Sequence, residues 1–147
     1  MKIFIKKFEE LSVTELYQIL RLRSEVFVVE QGCIFQDMDE KDNLGTHVFG
    51  MEKKQIIAYT RILGPGDYYE EPCIARVVVK KERRGDNKGK EIMDASIKYI
   101  RDNFKNNKII ISAQSYLEKF YRELGFIVEG NEYFEDGIPH IRMVLKL

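Results

Sequence analysis

The sequence predicts an α/β (α+β) chain in which about seven strands form a central sheet flanked by helices. Three observations carry that expectation. Apolar runs of strand character alternate with segments of helical spacing along the whole length. A Ser followed three positions later by Glu, the signal of a helix start, occurs at Ser12–Glu15 and at Ser115–Glu118. The run 73-CIARVVV-79 is joined through a helical stretch to 108-KIIISA-113, the pattern of two parallel strands with a crossover helix.

In order, 2-KIFIKK-7 reads as a first strand. Ser12 caps a helix, with Glu15 closing the box and Leu11 and Leu16 spaced as a staple. That helix is expected to run on through 17-YQILRLRSEVFVVE-30. An acidic loop, 31–45, follows and is too long for a plain connector. Strands 46–52 and 55–63 form a hairpin about Lys53-Lys54, and Gly and Pro mark 64–72 as loop. The strand 73–79 reads as central and buried on both faces. After the basic stretch 80–90, Ile92, Met93, Ser96, Ile97, Ile100 and Phe104 share one helical face. Strand 108–113 precedes a short helix capped by Ser115 and ended by Gly125. The remainder, 126–147, reads as two strands about Asp136-Gly137. The apolar last strand is expected to offer an edge for a homodimer.

At 147 residues, 44% of them hydrophobic, the chain suits one domain, 1–147, with a full core. Basic and acidic residues balance at 24 each, so no global field favours nucleic acid or an anionic membrane. No run reaches membrane-spanning length, and the N-terminus lacks a signal peptide's apolar stretch, so a cytoplasmic protein is expected. Cys33 and Cys73 read as buried free thiols, and no metal-ligand spacing links them to His47 or His140.

Charge is informative locally. Lys80 to Lys90 carries six basic residues and two acidic ones. There a strand passes through a glycine-containing turn into a helix N-terminus, whose unpartnered N–H groups and partial positive charge suit a diphosphate. Arg84, Lys88 and Lys90 add full charges, and Gly85 and Gly89 keep the approach clear. Neither a nucleotide-hydrolase P-loop nor a dinucleotide fingerprint is present.

The stretch 84-RGDNKG-89 resembles the acetyl-coenzyme A signature [QR]-x-x-G-x-[GA] of the GNAT family of N-acetyltransferases, with Asn87 in place of a glycine. Asn is the non-glycine residue most tolerant of left-handed backbone, so the departure costs cofactor affinity rather than geometry. A second match is 121-YRELGF-126, with Gln114 where many members have Asn. The segments 21–33, 36–42, 76–79, 112–114 and 136–141 are similar to the ElaA branch of this family, whose acceptor is not settled.

The resemblance implies a GNAT fold: a mixed, mostly antiparallel sheet in which 73–79 and 108–113 splay to admit acetyl-coenzyme A. Val77, Val78 and Val79 would offer backbone groups to the pantetheine arm, and residues 84–90 (Arg84, Gly85, Asp86, Asn87, Lys88, Gly89 and Lys90) the diphosphate seat, with Gln114 and Tyr121 also at the cofactor. An N–H near Val77 or Val78 would stabilise the oxyanion. Tyr121 would protonate the leaving thiolate. The attacking amine must lose a proton, and Glu30, Asp39, His47, His140 or a water chain are the candidate acceptors, with His140 ranked first. The acceptor implied is a small-molecule primary amine, and no metal is needed.

Arg23, Arg61 and Arg76 interrupt apolar segments and need anionic partners, for which Asp37, Asp39 and Asp42 are the candidates; binding of a substrate carboxylate is the alternative. Arg23, Val26-Phe27, Asp37, Asp39 and Arg61 are also similar to acyl-homoserine-lactone synthases, but the coenzyme A turn argues against that reading. A catalytically inactive coenzyme A-binding module is the remaining alternative.

Overall fold

The computed structural model describes residues 1–147. Eight strands form one sheet: β1 (Lys2–Lys7), β2 (Thr46–Glu52), β3 (Gln55–Leu63), β4 (Cys73–Val79), β5 (Lys108–Gln114), β6 (Ile127–Val128), β7 (Tyr133–Glu135) and β8 (Ile138–Lys146). Their spatial order is β1-β2-β3-β4-β5-β8-β6, with β7 also on β8. Every pairing is antiparallel except β4 with β5. The sheet is therefore mixed and mostly antiparallel, as expected, although the C-terminal region divides into three strands rather than two.

Alternation along β2 and β3 assigns the two faces. Val48 and Ala58 pack into a cluster with Ile92, Met93, Ile97 and Ile100 of helix α2 (Lys88–Asn103). Phe49 and Tyr59 pack into another with Ile19 and Leu22 of helix α1 (Val13–Arg23). The Ser12–Glu15 capping box is formed at the start of α1. The turns Lys53-Lys54 and Asp136-Gly137 hold positive φ at both positions, the geometry of tight hairpins.

Several expectations are corrected. The first helix ends at Arg23, and Ser24–Glu30 continues it as wider π turns. Gln31 N–H reaches back to the Val26 carbonyl at 3.1 Å and Cys33 N–H to that of Val28 at 3.1 Å. Such widening recurs at functional sites, and Val26, Phe27 and Glu30 line the cleft described below. The Ser115–Glu118 box does not form: 115–117 is a 3-10 turn, helix α3 (Glu118–Glu123) starts after Leu117, and the Ser115 hydroxyl is buried without a partner. Helix α3 ends as expected at Gly125 (φ 102°), where Gly125 N–H bonds the Arg122 carbonyl and Phe126 N–H that of Tyr121. Phe104 is extended and lies just beyond α2. Cys33 is only half-buried, while Cys73 is buried, and burial pushes its thiol up to about 11. The last strand is no free edge, because β8 is paired with β5 on one side and with β6 and β7 on the other. No helix is long and apolar enough to cross a membrane.

One irregularity opens the sheet. Between Tyr59 and Arg61 the β3–β4 register slips, and Arg76 takes a left-handed φ of 55° inside β4. Such backbone in a non-glycine residue is strained and survives only when neighbours hold it. The Arg76 guanidinium is held by the Asp37 carbonyl at 2.8 Å and the Asp37 carboxylate at 2.8 Å. On the other side β4 meets β5 at one pair, Cys73 with Ile110, after which the strands part. Contrary to the expectation of full burial, Ala75, Arg76, Val77 and Val79 are therefore only half-buried.

Candidate active site

The splay of β4 and β5 opens a cleft of about 660 Å³. The edge of β4 beyond Cys73 lacks a strand partner there, so its backbone is free to bond an extended ligand. Val77, Val78, Val79, Arg84, Gly85, Asn87, Lys88, Gly89, Lys90, Gln114, Tyr121 and His140 all line this cleft. Asp86 does not: its carboxylate turns to Arg83 at 3.4 Å.

At the turn into α2, Asn87 is the N-cap with φ 68° and ψ 15°, the left-handed conformation its side chain tolerates. Gly89 sits tightly packed, since a Cβ there would lie 3.2 Å from Phe120 Cζ and the ring would have to give by a few tenths of an ångström. The cations of the turn are not free. Arg84 donates to Glu30 at 2.6 and 2.9 Å and to the Val79 carbonyl at 3.0 Å. Lys88 lies 3.7 Å from Glu52, and Lys90 pairs with Asp94 at 2.7 Å. The open strand edge and the α2 N-terminus lie in one cleft, which suits an extended carrier ending in a diphosphate, and Glu30 occupies the Arg84 fork.

Tyr121 projects from α3 and is 5% exposed, its ring set edge-on between Phe120 and Phe126. Burial, with a smaller push from Tyr116, holds its phenol above the ordinary range. It therefore stays protonated at neutral pH.

Of the four candidate side chains for the base, three are engaged by their surroundings. His47 is fully buried and does not line the cleft; the Tyr59 hydroxyl donates to its Nδ1 at 2.6 Å and its Nε2 donates to the Asp42 carbonyl at 2.9 Å. Asp39 is clamped by Arg61 at 2.8 Å through both oxygens; burial opposes its charge, but the Arg61 and Arg76 guanidinium groups hold it well below the carboxylate range. Glu30 is lowered by its bonds to Arg84. His140 remains. Its Nδ1 lies 2.7 Å from the Ile138 carbonyl, which can only accept, so the ring donates there through Nδ1–H and Nε2 is the nitrogen left for other partners. Nε2 is 3.5 Å from Glu135 Oε2.

The acetyltransferase (GNAT) domain family matches residues 21–147. The chain belongs to this family. It is 40% identical over 140 residues to protein ElaA of Escherichia coli (strain K12), covering 94% of this chain and 92% of that protein. The crystal structure of E. coli ElaA superposes with a TM-score of 0.91 at 35% identity, covering 99% of this chain and 100% of that one. That of an acyl-CoA N-acyltransferase from Pseudomonas aeruginosa superposes with a TM-score of 0.92 at 33% identity, covering 99% of each. GNAT members typically draw on an acyl-coenzyme A donor.

In this GNAT chain the three arginines form an ion-pair network rather than a free carboxylate site. Arg23 bonds Asp37 and Asp42 at 2.7 Å each, Arg61 bonds Asp39 and Asp42 at 2.8 and 2.9 Å, and Arg76 reaches Asp37. The sequence reading missed Ser112 and Glu135 as site residues, although both line the cleft. The Asp136-Gly137 turn held the signal for Glu135, because a tight hairpin there pairs Tyr133 with His140 and sets Glu135 beside them.

The Glu30–Arg84 pair has a measurable consequence. Removing the carboxylate that occupies the arginine fork should favour a competing diphosphate. Glu30→Gln is therefore expected to lower the coenzyme A dissociation constant about threefold by calorimetry at low salt, the gain shrinking as salt screens the site. A weaker-binding variant would show that Glu30 orients Arg84 instead of competing for it.

Proposed function

We propose that the protein is an N-acetyltransferase that moves an acetyl group from acetyl-coenzyme A to a primary amine by direct attack. The observation that supports this most is one cleft shared by the open β4 edge, the α2 N-terminus, a buried neutral tyrosine and a histidine whose Nδ1 is occupied by a backbone carbonyl. The β4 backbone and residues 84–90 would hold the thioester carrier, with Arg84 exchanging Glu30 for phosphate. Backbone N–H groups of β4 near Val77 or Val78 would stabilise the oxyanion, a contact worth about 3–4 kcal/mol in other enzymes.

His140 Nε2 takes a proton from the ammonium form of the acceptor, which is otherwise close to fully charged because its pKa is near ~10. The freed amine attacks the carbonyl and the carbon–sulfur bond breaks. A thiol titrates near ~8.5, below a buried phenol, so Tyr121 does not simply surrender its proton to the sulfur. Tyr121 hydrogen-bonds the departing sulfur and relays to it the second N–H proton of the attacking nitrogen, so that coenzyme A leaves as the thiol, the amide forms neutral and the phenol ends protonated.

Incubation with acetyl-coenzyme A and a panel of primary amines should release free thiol in an amine-dependent way. Tight coenzyme A binding with no thiol release on any amine would favour a binding module instead. Arg84→Glu tests the seat: reversing a charge beside the diphosphate should raise the coenzyme A dissociation constant at least about tenfold, or ~1.4 kcal/mol. Unchanged calorimetric binding would count against this placement of the diphosphate.

A further inference from the structure

Four carboxylates line the cleft: Glu30, Asp39, Glu135 and Asp136. The first two are neutralised by arginine. Glu135 and Asp136 sit at the β7–β8 hairpin, and neither is paired with Lys or Arg. Glu135 is held in place by one neutral donor, which a second hydroxyl orients. The Tyr133 hydroxyl donates to Ser112 Oγ at 2.5 Å, and Ser112 Oγ donates to Glu135 Oε1 at 2.9 Å. The other oxygen, Oε2, faces His140 Nε2 at 3.5 Å. A fixed anion thus stands beside the imidazole Nε2, with aromatic side chains of Tyr68, Tyr69 and Phe35 on the same cleft.

We propose that Glu135 and His140 form the acceptor subsite, in which the Glu135 carboxylate docks the acceptor as a primary ammonium on an apolar or aromatic body. This inference rests on the acetyl-transfer reading of the same cleft. Two N–H groups of one ammonium fit Oε2 and Nε2 together, a charge-assisted arrangement stronger than neutral hydrogen bonds. One N–H proton then moves to Nε2, leaving a neutral amine and an imidazolium that the Glu135 charge stabilises. The subsite selects amines that are cationic in water over hydroxyl acceptors, which bring no charge to meet Glu135.

The test uses protein saturated with coenzyme A, so that nothing turns over, titrated with phenethylammonium and, separately, with phenethyl alcohol. The chain has 2 histidines, so imidazole NMR signals report both. The His140 signals should move with the ammonium, while those of buried His47 stay fixed and certify the fold. Glu135→Gln keeps an acceptor for Ser112 yet should weaken ammonium binding at least about tenfold, with Glu135→Asp intermediate. The alcohol should bind about tenfold more weakly than the ammonium and be indifferent to either substitution. No ammonium binding by the wild type, equal binding by Glu135→Gln, equal binding of the alcohol, or a still His140 signal would each overturn the subsite. Thiol release by the wild type is measured apart. If it is absent while Glu135-dependent binding persists, acetyl transfer fails and the subsite stands; release that ignores Glu135→Gln has the opposite meaning.

Discussion

Arg23→Ala is expected to destabilise the protein by about 3–5 kcal/mol at neutral pH, read from the urea or thermal midpoint. Arg23 is fully buried and is the donor to two carboxylates, Asp37 and Asp42, at 2.7 Å each. Truncation leaves both carboxylates short of a cation and opens space beside Tyr59, over whose ring the guanidinium lies at 5.8 Å. Arg61 and Arg76 remain on the same carboxylates, which places the loss toward the lower end.

The deficit should depend on pH in a definite direction. Burial works against ionisation of Asp42, but the hydrogen bonds and charges of Arg23 and Arg61 prevail and lower its pKa. A depressed carboxyl contributes stability that is present above its unfolded value, near ~3.9, and is lost as pH falls toward the folded value. The gap between wild type and Arg23→Ala should therefore be widest at neutral pH and narrow below about pH 4. A gap that stays constant into acid would show that lost packing, not lost pairing, dominates.

Tyr121→Phe is expected to lower turnover about 100-fold while leaving coenzyme A affinity and the melting temperature nearly unchanged. The two rings share their volume, so edge-on contacts to Phe120 and Phe126 persist. What disappears is a hydroxyl that burial keeps protonated. The separation of turnover from binding is the diagnostic part, because an interaction confined to the departing thiolate does not contribute to ground-state affinity. Turnover at the wild-type level would make Tyr121 a packing residue and leave the thiolate to depart unaided.

Strand β2, strand β3 and their Lys53-Lys54 turn were legible in the sequence to the residue, as were β4 and the start of α1, because each rests on local alternation or a local cap. The glycine-containing turn into α2 was legible for the same reason, and Asn87 takes the left-handed backbone it tolerates. Local pattern misled at Ser115. The spacing of a capping box was present, yet the chain leaving β5 makes a 3-10 turn first and starts α3 at Glu118. It was silent at Arg76, where no turn residue announces the left-handed step that breaks the β3–β4 register.

Residue type and order alone determined that this chain builds a mixed sheet with a strand–helix–strand unit and a basic, glycine-containing turn into α2, since these follow from periodicity and backbone chemistry within short windows. Only the tertiary structure decided which charges are spent and which are available. Arg84 is held by Glu30 and Asp39 by Arg61, whereas Glu135 meets only Ser112 and His140. The pairs Glu30–Arg84 and Asp39–Arg61 join residues far apart along the chain, and an ionic contact falls off with distance in space rather than in sequence.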